Sequence, residues 1–344
     1  MTMNAKKLLY VLLGVIISGL LIWMLFRNIN FHELWLALKQ ADYWWLIPNI
    51  AFIVLTMYQR AYRWKFMVAP IKEVKFSKLL AATCVGFMAN NVLPLRLGEF
   101  ARAYSLSSQD KDISKSASLA TIFVERMVFD LVALLVIFAA ILTFATSVRH
   151  HIDSEMIAAT KVAVAIAILG IGFIVVLATR PSQVGSLLTR YLFFLPERIK
   201  TTIQTIVLKF SRGLEFLKSF RLTGWVAVQT FLIWVFMGIS NYFVFKAFNF
   251  DIPIDASFVL LVVVSILILT PSTPGFLGVY HYGVVLSLGL YGIGGESALS
   301  CAIVLHATQY IVVTAMGFYF LKKEHLSLKQ LEHGMDEEIE VLEP

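Results

Sequence analysis

The stretch of sequence that decides the fold reads Asn90-Asn91-Val92-Leu93-Pro94-Leu95-Arg96-Leu97-Gly98-Glu99-Phe100-Ala101-Arg102. It sets Arg96, Glu99 and Arg102 directly against an apolar run, Leu79–Leu97, that is too short to span a membrane comfortably. Charged side chains at such a position are costly and persist mainly where they have a use. The stretch therefore predicts a membrane helix that is broken at Pro94, with a functional site at the break.

A second stretch repeats this pattern and reads Thr270-Pro271-Ser272-Thr273-Pro274-Gly275-Phe276-Leu277-Gly278. Its Pro274 and Gly278 have the spacing of Pro94 and Gly98, and they also interrupt an apolar run. Proline removes a backbone donor and turns the preceding residue away from helix. Two breaks at matching places predict an internal repeat with a site between its halves.

The composition is that of a polytopic membrane protein. Of the 344 residues, 59% are hydrophobic and 15% are charged, and the mean hydropathy is +0.78. A net charge of +7 could indicate nucleic-acid binding. The basic residues, however, lie beside apolar spans, where they set orientation and meet anionic headgroups. We therefore expect an all-α membrane protein with no nucleic-acid partner.

The sequence offers little for a cofactor, a metal or a disulfide. Cys84 and Cys301 both lie in apolar runs, which predicts two free thiols that serve in packing. The sequence contains no Walker A, GxGxxG, HExxH or Ser-His-Asp elbow motif. We predict no cofactor and no enzymatic activity, and ATP is not an evident energy source.

The apolar runs predict six spanning helices, at residues 8–26, 43–58, 119–146, 162–179, 222–248 and 298–321. The broken runs, Leu79–Leu97 and Ala256–Ile293, are predicted to be re-entrant hairpins that enter from opposite sides. Arg60, Arg63 and Lys72 are assigned to a basic cytoplasmic connection, which places both termini in the cytoplasm. Each hairpin could instead cross the membrane twice as two short spans, which would leave every loop on the same side.

This topology makes one transmembrane domain over residues 1–325, with inverted repeats at about 6–147 and 161–323 and an acidic cytoplasmic tail at 326–344. The cytoplasmic loop 180–221 has apolar residues at helical spacing, namely Ile199, Ile203, Ile206, Phe210, Leu214 and Leu217. They predict an amphipathic helix that lies either on the inner leaflet or against the protein. Aromatic residues expected at the membrane interfaces are Trp44, Trp45, Tyr58 and Trp64.

The candidate substrate-binding residues gather around the two breaks, because helix N-termini freed by a break attract anions, phosphate above all. Around the first break they are Asn90, Asn91, Arg96, Glu99, Arg102, Glu125, Arg126 and Asp130. Around the second they are Pro274, Gly275, Gly278, His281 and His306.

Several of these residues have alternative interpretations. Arg126 and Asp130 share a helix face and form either a structural pair or part of the site. Glu125 lacks a local partner and could pair with Arg96 or Arg102. The two arginines could instead snorkel to the headgroups.

Other polar groups stay open to two interpretations as well. His281 and His306 are either protonatable groups or hydrogen-bonded packing residues. Asp110-Lys111-Asp112 has the form of a glycosyltransferase metal-binding pair, although so short a pattern in a polar loop is more typical of a solvated face.

Taken together, the first break, Glu125-Arg126 with Asp130, and the second break resemble the lysylphosphatidylglycerol synthase transmembrane-region family. This family is also described as flippase-like, and it includes the membrane half of the multiple peptide resistance factors. The resemblance extends from about Lys6 to Lys323. Two-part members carry a soluble aminoacyl-tRNA-using domain after the membrane part; with the chain ending at Pro344, a stand-alone membrane part is expected.

The resemblance implies translocation of aminoacyl-phosphatidylglycerol or another phosphate-bearing lipid across the cytoplasmic membrane of a bacterium or archaeon. Many members have a glutamate where His281 stands, so the headgroup is left open. Our main hypothesis is a lipid translocase whose Arg96 and Arg102 hold the lipid phosphate. The alternatives are an enzyme or accessory protein of polyprenyl-phosphate-linked glycan metabolism, and a scaffold for a separate lipid-modifying synthase.

Overall fold

The computed structural model describes residues 5–93, 97–144, 154–191 and 197–331, and the regular elements in these ranges are all helices. In chain order the helices are α1 (Ala5–Phe26), α2 (Phe31–Gln40), α3 (Leu46–Val68), α4 (Phe76–Val92), α5 (Gly98–Gln109), α6 (Lys115–Val124), α7 (Leu131–Phe144), α8 (Ser154–Thr179), α9 (Pro181–Tyr191), α10 (Glu197–Arg212), α11 (Phe220–Ala247), α12 (Asp255–Leu267), α13 (Val279–Gly289) and α14 (Gly295–Lys323). Short 3₁₀ turns occupy Tyr43–Trp45, Glu215–Lys218 and Pro274–Phe276, and a π-helical turn, Glu125–Asp130, joins α6 to α7.

Helices of membrane-spanning length and apolarity run through the described part of the chain. Three qualify singly, namely the continuous helix Lys115–Thr143, α11 and α14. Two more qualify as bent pairs, α1 with α2 at 88° and α8 with α9 at 109°. This confirms the predicted all-helical membrane class and gives three to five candidate spans in the described residues.

The second predicted span was drawn too short. Helix α3 continues to Val68, so Arg60 and Arg63 lie inside a helix and are buried rather than in a cytoplasmic loop. Trp64, expected at the interface, is completely buried. The reason is that buried apolar residues continue at helical spacing past the charges: Met57, Ala61, Trp64, Met67 and Val68.

The first break produces a helical hairpin. Contacts between α4 and α5 run in antiparallel order, from Lys78 Nζ donating to the Gln109 carbonyl at 2.7 Å, to the Gly98 amide donating to Asn90 Oδ1 at 2.8 Å. Between them Gly86 permits close approach, since a Cβ there would lie 2.6 Å from Arg102 Cβ. Pro94, Leu95 and Arg96 lie outside the described residues.

The second break has a more unusual backbone. Helix α12 ends at Leu267 and α13 begins at Val279, and between them Gly275, Phe276 and Gly278 have φ values of 70°, 60° and 81°. Positive φ is strained for a residue with a side chain, so the two glycines fit this turn. At the other end of the hairpin, Tyr291 Oη donates to Asp255 Oδ2 at 3.2 Å.

The helix ends collect into two opposite groups. At one end the Asp42 amide donates to the Ala247 carbonyl at 2.7 Å, and the Asn30 amide donates to Glu296 Oε1 at 3.2 Å. These contacts join the segment between α1 and α3 to the end of α11 and the start of α14. At the other end Lys72 meets Asp110. This grouping agrees with the sidedness that the loop charges predict.

The predicted amphipathic helix of the 180–221 loop exists as α10. Leu214, just after it, is completely buried, and Phe210 and Leu217 pack against the core. The C-terminal end of this segment therefore packs on the protein, while the side chains of Ile199, Ile203 and Ile206 lie outside the described residues, as does the tail from residue 332. Cys84 and Cys301 are buried free thiols, as predicted.

Candidate functional site

A network of buried charges forms around Glu125, whose side chain is completely buried. Arg63 Nη2 lies 2.9 Å from Glu125 Oε1, and Arg102 Nη1 donates to the same oxygen at 2.9 Å. Of the two alternatives for Glu125, the pairing with Arg102 is therefore present, and Arg96 lies outside the described residues. Arg63 is a second partner of Glu125, and it was missed because the predicted topology assigned it to a cytoplasmic loop.

The π-helical turn Glu125–Asp130 lets a single arginine reach both acids of that segment. Closing a turn with i→i+5 bonds brings residues five apart onto one face. Arg63 Nη1 accordingly donates to Asp130 Oδ1 at 2.6 Å while its other terminal nitrogen meets Glu125. Thr230 Oγ1 of α11 accepts from the same Nη1 at 2.8 Å, which fixes the guanidinium from the opposite side.

The network then runs outward to an open rim. Arg126 Nη1 donates to Asp130 Oδ2 at 3.2 Å, which confirms the predicted i,i+4 pair, and its Nη2 lies 3.6 Å from Glu99 Oε1. The side chains of Arg126 and Glu99 are 28% and 32% exposed, whereas that of Arg63 is fully buried. A polar ligand can therefore reach the Arg126 end and not the Arg63 end.

Asn90 occupies the start of α5, where an anion was expected. Its Oδ1 accepts from the Gly98 amide at 2.8 Å, and its Nδ2 donates to Glu99 Oε1 at 3.4 Å. The amide at this helix start is thus already capped by the protein. Arg96, the predicted phosphate ligand, lies outside the described residues.

Arg102 is held inside the protein and does not snorkel. It is 2% exposed, and its guanidinium carbon lies 4.0 Å from the centre of the Trp64 ring. The Trp64 indole is itself fixed, because Nε1 donates to Thr121 Oγ1 at 2.8 Å. Cation–π contact and the Glu125 ion pair together hold Arg102 in place.

Arg60 is the least compensated charge of the network. It is 7% exposed, and within the described ranges no carboxylate lies within ion-pair distance of it. Its Nη2 meets the sulfur of Met237 at 3.0 Å, and its guanidinium lies 4.7 Å from the centre of the Phe87 ring. Arg126 lies 5.1 Å from the same ring, so two cations share Phe87.

The described network carries an excess of one positive charge. Four arginines face three carboxylates: Arg60, Arg63, Arg102 and Arg126 against Glu99, Glu125 and Asp130. Several buried guanidinium donors also have no hydrogen-bond acceptor within the described residues, namely Arg60 Nε, Arg63 Nε, Arg102 Nε, Arg102 Nη2 and Arg126 Nε, against one such carboxylate acceptor in the network, Glu125 Oε2. An anion rich in acceptor oxygens would balance both the charge and the donors.

A pair of histidines, His281 and His306, is hydrogen-bonded to the second break. His306 Nε2 lies 2.8 Å from the Gly275 carbonyl oxygen, and His306 Nδ1 lies 3.3 Å from His281 Nε2. Tyr280 stacks on the His306 ring with centroids 4.8 Å apart. Pro274 begins the short 3₁₀ turn that presents the Gly275 carbonyl.

The two breaks meet beside this pair. Tyr310 Oη donates to the Asn91 carbonyl at 3.5 Å, and a Cβ on Gly275 would lie 3.4 Å from that same carbonyl oxygen. Asn91 Nδ2 also donates to Thr314 Oγ1 of α14 at 2.9 Å. Helix α1 closes the other side, since a Cβ on Gly278 would lie 2.7 Å from the Ser18 carbonyl oxygen. The candidate residues thus form two clusters joined through Asn90 and Asn91.

The sequence pattern of one family covers both clusters. The family model described as the lysylphosphatidylglycerol synthase TM region matches residues 11–317. The chain belongs to this family. A UPF0104 membrane protein of Methanocaldococcus jannaschii is 27% identical over 242 residues, covering 69% of this chain and 95% of that protein. A UPF0104 membrane protein of Methanothermobacter thermautotrophicus is 23% identical over 329 residues, covering 92% and 94%. No solved structure matches the chain significantly.

In this member of the lysylphosphatidylglycerol synthase TM-region family, the acidic pair Asp110 and Asp112 is tied to lysine. Lys72 Nζ donates to Asp110 Oδ1 at 2.7 Å and to Asp112 Oδ2 at 2.6 Å. The hydrogen bond from Lys72 lowers the pKa of Asp110 below its ordinary value. No group of three or more His, Cys, Asp or Glu side chains in the described ranges is arranged for a metal. Both carboxylates are thus paired with Lys72, and of the two only the Asp112 side chain, which is 78% exposed against 12% for Asp110, is well solvated.

Proposed function

We propose that this protein is a lipid translocase that moves a phosphate-bearing lipid across the cytoplasmic membrane, in a flippase-like manner. The observation that carries the proposal is the excess buried positive charge at Arg60. A lone charge within a membrane domain costs roughly 2.5–3.5 kcal/mol on insertion scales. It is expected to persist where a ligand of opposite charge compensates it.

A lipid phosphate fits this position by charge and by hydrogen bonding. A phosphodiester carries one negative charge and presents oxygen acceptors, which match the planar donor fork of arginine. Arg60 and Arg126, which share the Phe87 ring, are the proposed binding cations. Arg63 and Arg102 are committed to Glu125 and hold the site in shape, although each keeps a buried Nε donor without an acceptor in the described residues.

The proposed route for the lipid follows the open rim. Arg126 and Glu99 are the more exposed members of the network, and Asn90 connects Glu99 to the first break. A headgroup held here can leave its acyl chains in the bilayer, as groove-type access requires. The family description adds support, because it names the synthase of lysylphosphatidylglycerol, a phosphate-bearing lipid.

Helix packing supports the further proposal of six spans and two re-entrant hairpins in inverted repeats. Helices α3 and α11, which correspond in the two repeats, pair with each other, as where Asn49 Nδ2 donates to the Ser240 carbonyl at 2.9 Å. The first hairpin packs on the last span, with Gly317 against the Cys84 carbonyl, and the second packs on α7. Inverted repeats of this kind place substrate between the halves.

The remaining candidate binding residue, Arg96, and the predicted topology are also part of the proposal. Arg96, which lies outside the described residues, is proposed as a further phosphate-binding cation, so Arg96→Ala should reduce lipid movement in a protein that still folds. Both termini are proposed to be cytoplasmic, and no enzymatic activity is proposed. A membrane phospholipid or a polyprenyl-phosphate lipid would present the same phosphate chemistry to these residues.

The test is lipid movement by the purified full chain in liposomes. Fluorescent phosphatidylglycerol, fluorescent phosphatidylcholine and a fluorescent ceramide without phosphate are reconstituted separately, and dithionite then bleaches the label that reaches the outer leaflet. The proposal expects the protein to expose inner-leaflet label of a phosphate-bearing lipid faster than in protein-free liposomes, and to leave the rate for the ceramide at its protein-free value.

Two results would contradict the proposal. If the inner-leaflet label of both phospholipids stays as protected as it is in protein-free liposomes, the protein does not translocate phospholipid. An equal acceleration of the ceramide over its protein-free rate would show that the phosphate is not recognised. Product formation from a lipid-linked sugar that depends on Asp110 and Asp112 would favour the enzyme instead, and dependence of a partner synthase on the chain without lipid movement would favour the scaffold.

A further inference from the structure

The geometry assigns His281 and His306 to a single-proton binding site that couples proton movement to the proposed lipid translocation. The inference rests on the proposed function for its coupling part, while the proton site itself stands on the geometry of the pair. The ligand of this site is a proton from the aqueous solution, which binds at one ring nitrogen.

The hydrogen-bond partners determine the tautomers of both rings. The Gly275 carbonyl can only accept, so His306 Nε2, 2.8 Å away, carries a proton and donates. In the neutral ring His306 Nδ1 is therefore an acceptor, and His281 Nε2, 3.3 Å away, must donate to it. This leaves His281 Nδ1 as the unprotonated nitrogen of the neutral pair.

The same geometry limits the pair to one additional proton. A proton added at His281 Nδ1 makes that ring an imidazolium, and the proton between the rings can then move from His281 Nε2 to His306 Nδ1. A second proton would place two N–H groups head to head, with ring centroids only 4.7 Å apart. The pair therefore binds one proton and not two.

Within the described ranges, no fixed charge lies beside the pair that would determine its protonation state in advance. Among described residues, the titratable side chains around the pair are Tyr280, stacked on His306, Tyr310, edge-on to it at 5.9 Å, and Cys301 behind Tyr280. Helix α1 contributes Ser18 near the second break and no ionisable contact there. His281 is half-buried and is the exchanging end of the pair.

The depth of His306 along α14 and the contacts of the histidine pair with the second break fit a role in coupling. His306 lies eleven residues into α14, roughly 17 Å from its predicted outer end at 1.5 Å per residue, and therefore toward the middle of the membrane. An added proton would make the bond to the Gly275 carbonyl charge-assisted and would strengthen the hold on the second break. Through Tyr310 and the Asn91 carbonyl, that break touches the first.

The proton site is tested by difference titration of the full chain in detergent between about pH 4 and pH 8, the range in which histidine changes charge. The expected result is that His281→Gln/His306→Gln takes up one proton fewer per chain than the wild type. His32→Gln, at an exposed surface position, is the control for an ordinary histidine. A loss of two protons would mean independent histidines, and a loss of none would mean a permanently neutral pair. Either result overturns the assignment.

Coupling is tested in the liposome assay by comparing lipid movement with and without an imposed pH difference. The ratio of the two rates should differ from one by several-fold in the wild type and in His32→Gln, and should fall to one in His281→Gln. A wild-type ratio of one would overturn the coupling while leaving lipid translocation intact. Absence of any lipid movement would count against the proposed function, and the titration would still decide the proton site.

Discussion

Glu125 shows how this chain accommodates charges within a membrane domain. One of its oxygens receives both Arg63 and Arg102, each at 2.9 Å, and Asp130 receives the other arm of Arg63. Acids and arginines thus alternate, and each buried charge except Arg60 lies within 4 Å of an opposite one in the described network. Such a network depends on every member, because removing one leaves its partners buried and unpaired.

Glu125→Gln tests that dependence. The substitution keeps the shape of the side chain and leaves Arg63 and Arg102 without their shared carboxylate. We expect a loss of about 3–5 kcal/mol of stability, the usual result of breaking a buried ion pair. Unfolding in detergent should show it as a large fall in Tm, while Glu33→Gln on the exposed side of α2 should leave Tm unchanged. Equal Tm values would mean that Glu125 is not structural.

The surface pair Lys72–Asp110 gives a pH-dependent prediction. Because Lys72 lowers the pKa of Asp110, the pair stabilises the folded chain above the ordinary aspartate pKa of about 3.9 and loses this effect as the pH falls through the lowered value. Asp110→Asn should therefore lower Tm modestly at pH 7, and the difference should shrink in acid.

Lipid movement per folded molecule should be unaffected in Asp110→Asn, which separates the translocase from a metal-dependent enzyme. A Tm difference that persists unchanged in acid would contradict the ion-pair explanation. Product formation from a lipid-linked sugar that is lost in Asp110→Asn would instead favour the enzyme alternative.

At the residue scale, five of the seven members of the described network were among the predicted site residues, all except Arg60 and Arg63. The cost of unpaired charge indicated that Glu125 needs a partner and left Arg96 and Arg102 as alternatives, whereas helical spacing led directly from Arg126 to Asp130. Arg60 and Arg63 were missed because arginines after an apolar helix look the same whether they enter a cytoplasmic loop or continue the helix. The distinguishing signal was the apolar spacing from Met57 to Val68, which continues across them.

At the scale of elements, the first hairpin depends on the close approach of α4 and α5. Gly86→Ala would place a Cβ 2.8 Å from the Gly98 carbonyl oxygen and 2.6 Å from Arg102 Cβ. Forcing an atom into such a contact costs roughly 1–3 kcal/mol, and here it would also displace Arg102 from the network. We expect a lower Tm and slower lipid movement.

Gly172→Ala in α8 is the matched control, since a Cβ there meets nothing within 4 Å. Alanine is the better helix former by about 1 kcal/mol, so this variant should keep or raise Tm. A Gly86→Ala protein as stable and active as Gly172→Ala would show that the close crossing is not required.

The breaks themselves were predictable from the Pro-x-x-x-Gly spacing, and both appear where expected. Two other elements were not. Helix α2 has only ten residues, and its exposed Phe31 and Trp35 do not belong to an apolar run long enough to predict a membrane span. The π-helical turn at Glu125–Asp130 leaves no distinct mark in sequence, because it depends on Arg63 and Thr230 from other helices to hold it.

For the whole molecule, the loops predicted to be external and those predicted to be cytoplasmic lie at opposite ends of the helices, and which end faces the cytoplasm stays a prediction. Reporter fusions after Lys161 and after Lys323 should lie on opposite sides of the membrane, with Lys323 and both termini in the cytoplasm. Two fusions reporting the same side would overturn the topology. The depth of the hairpins was not accessible from sequence, because a short apolar run can enter and return or cross twice with the same loop charges.

The most direct test of the central claim is lipid movement by Arg60→Ala, measured together with Tm on the same preparation. A charge-assisted hydrogen bond is worth roughly 1.5–3 kcal/mol, so movement should fall at least about tenfold in a protein that remains folded. Arg60→Lys, which keeps the charge and loses the donor fork, should retain part of the rate. Arg27→Ala, at an exposed position beside Trp23, should move lipid normally. A folded Arg60→Ala protein that moves lipid at the wild-type rate would contradict the claim that this charge holds the lipid phosphate.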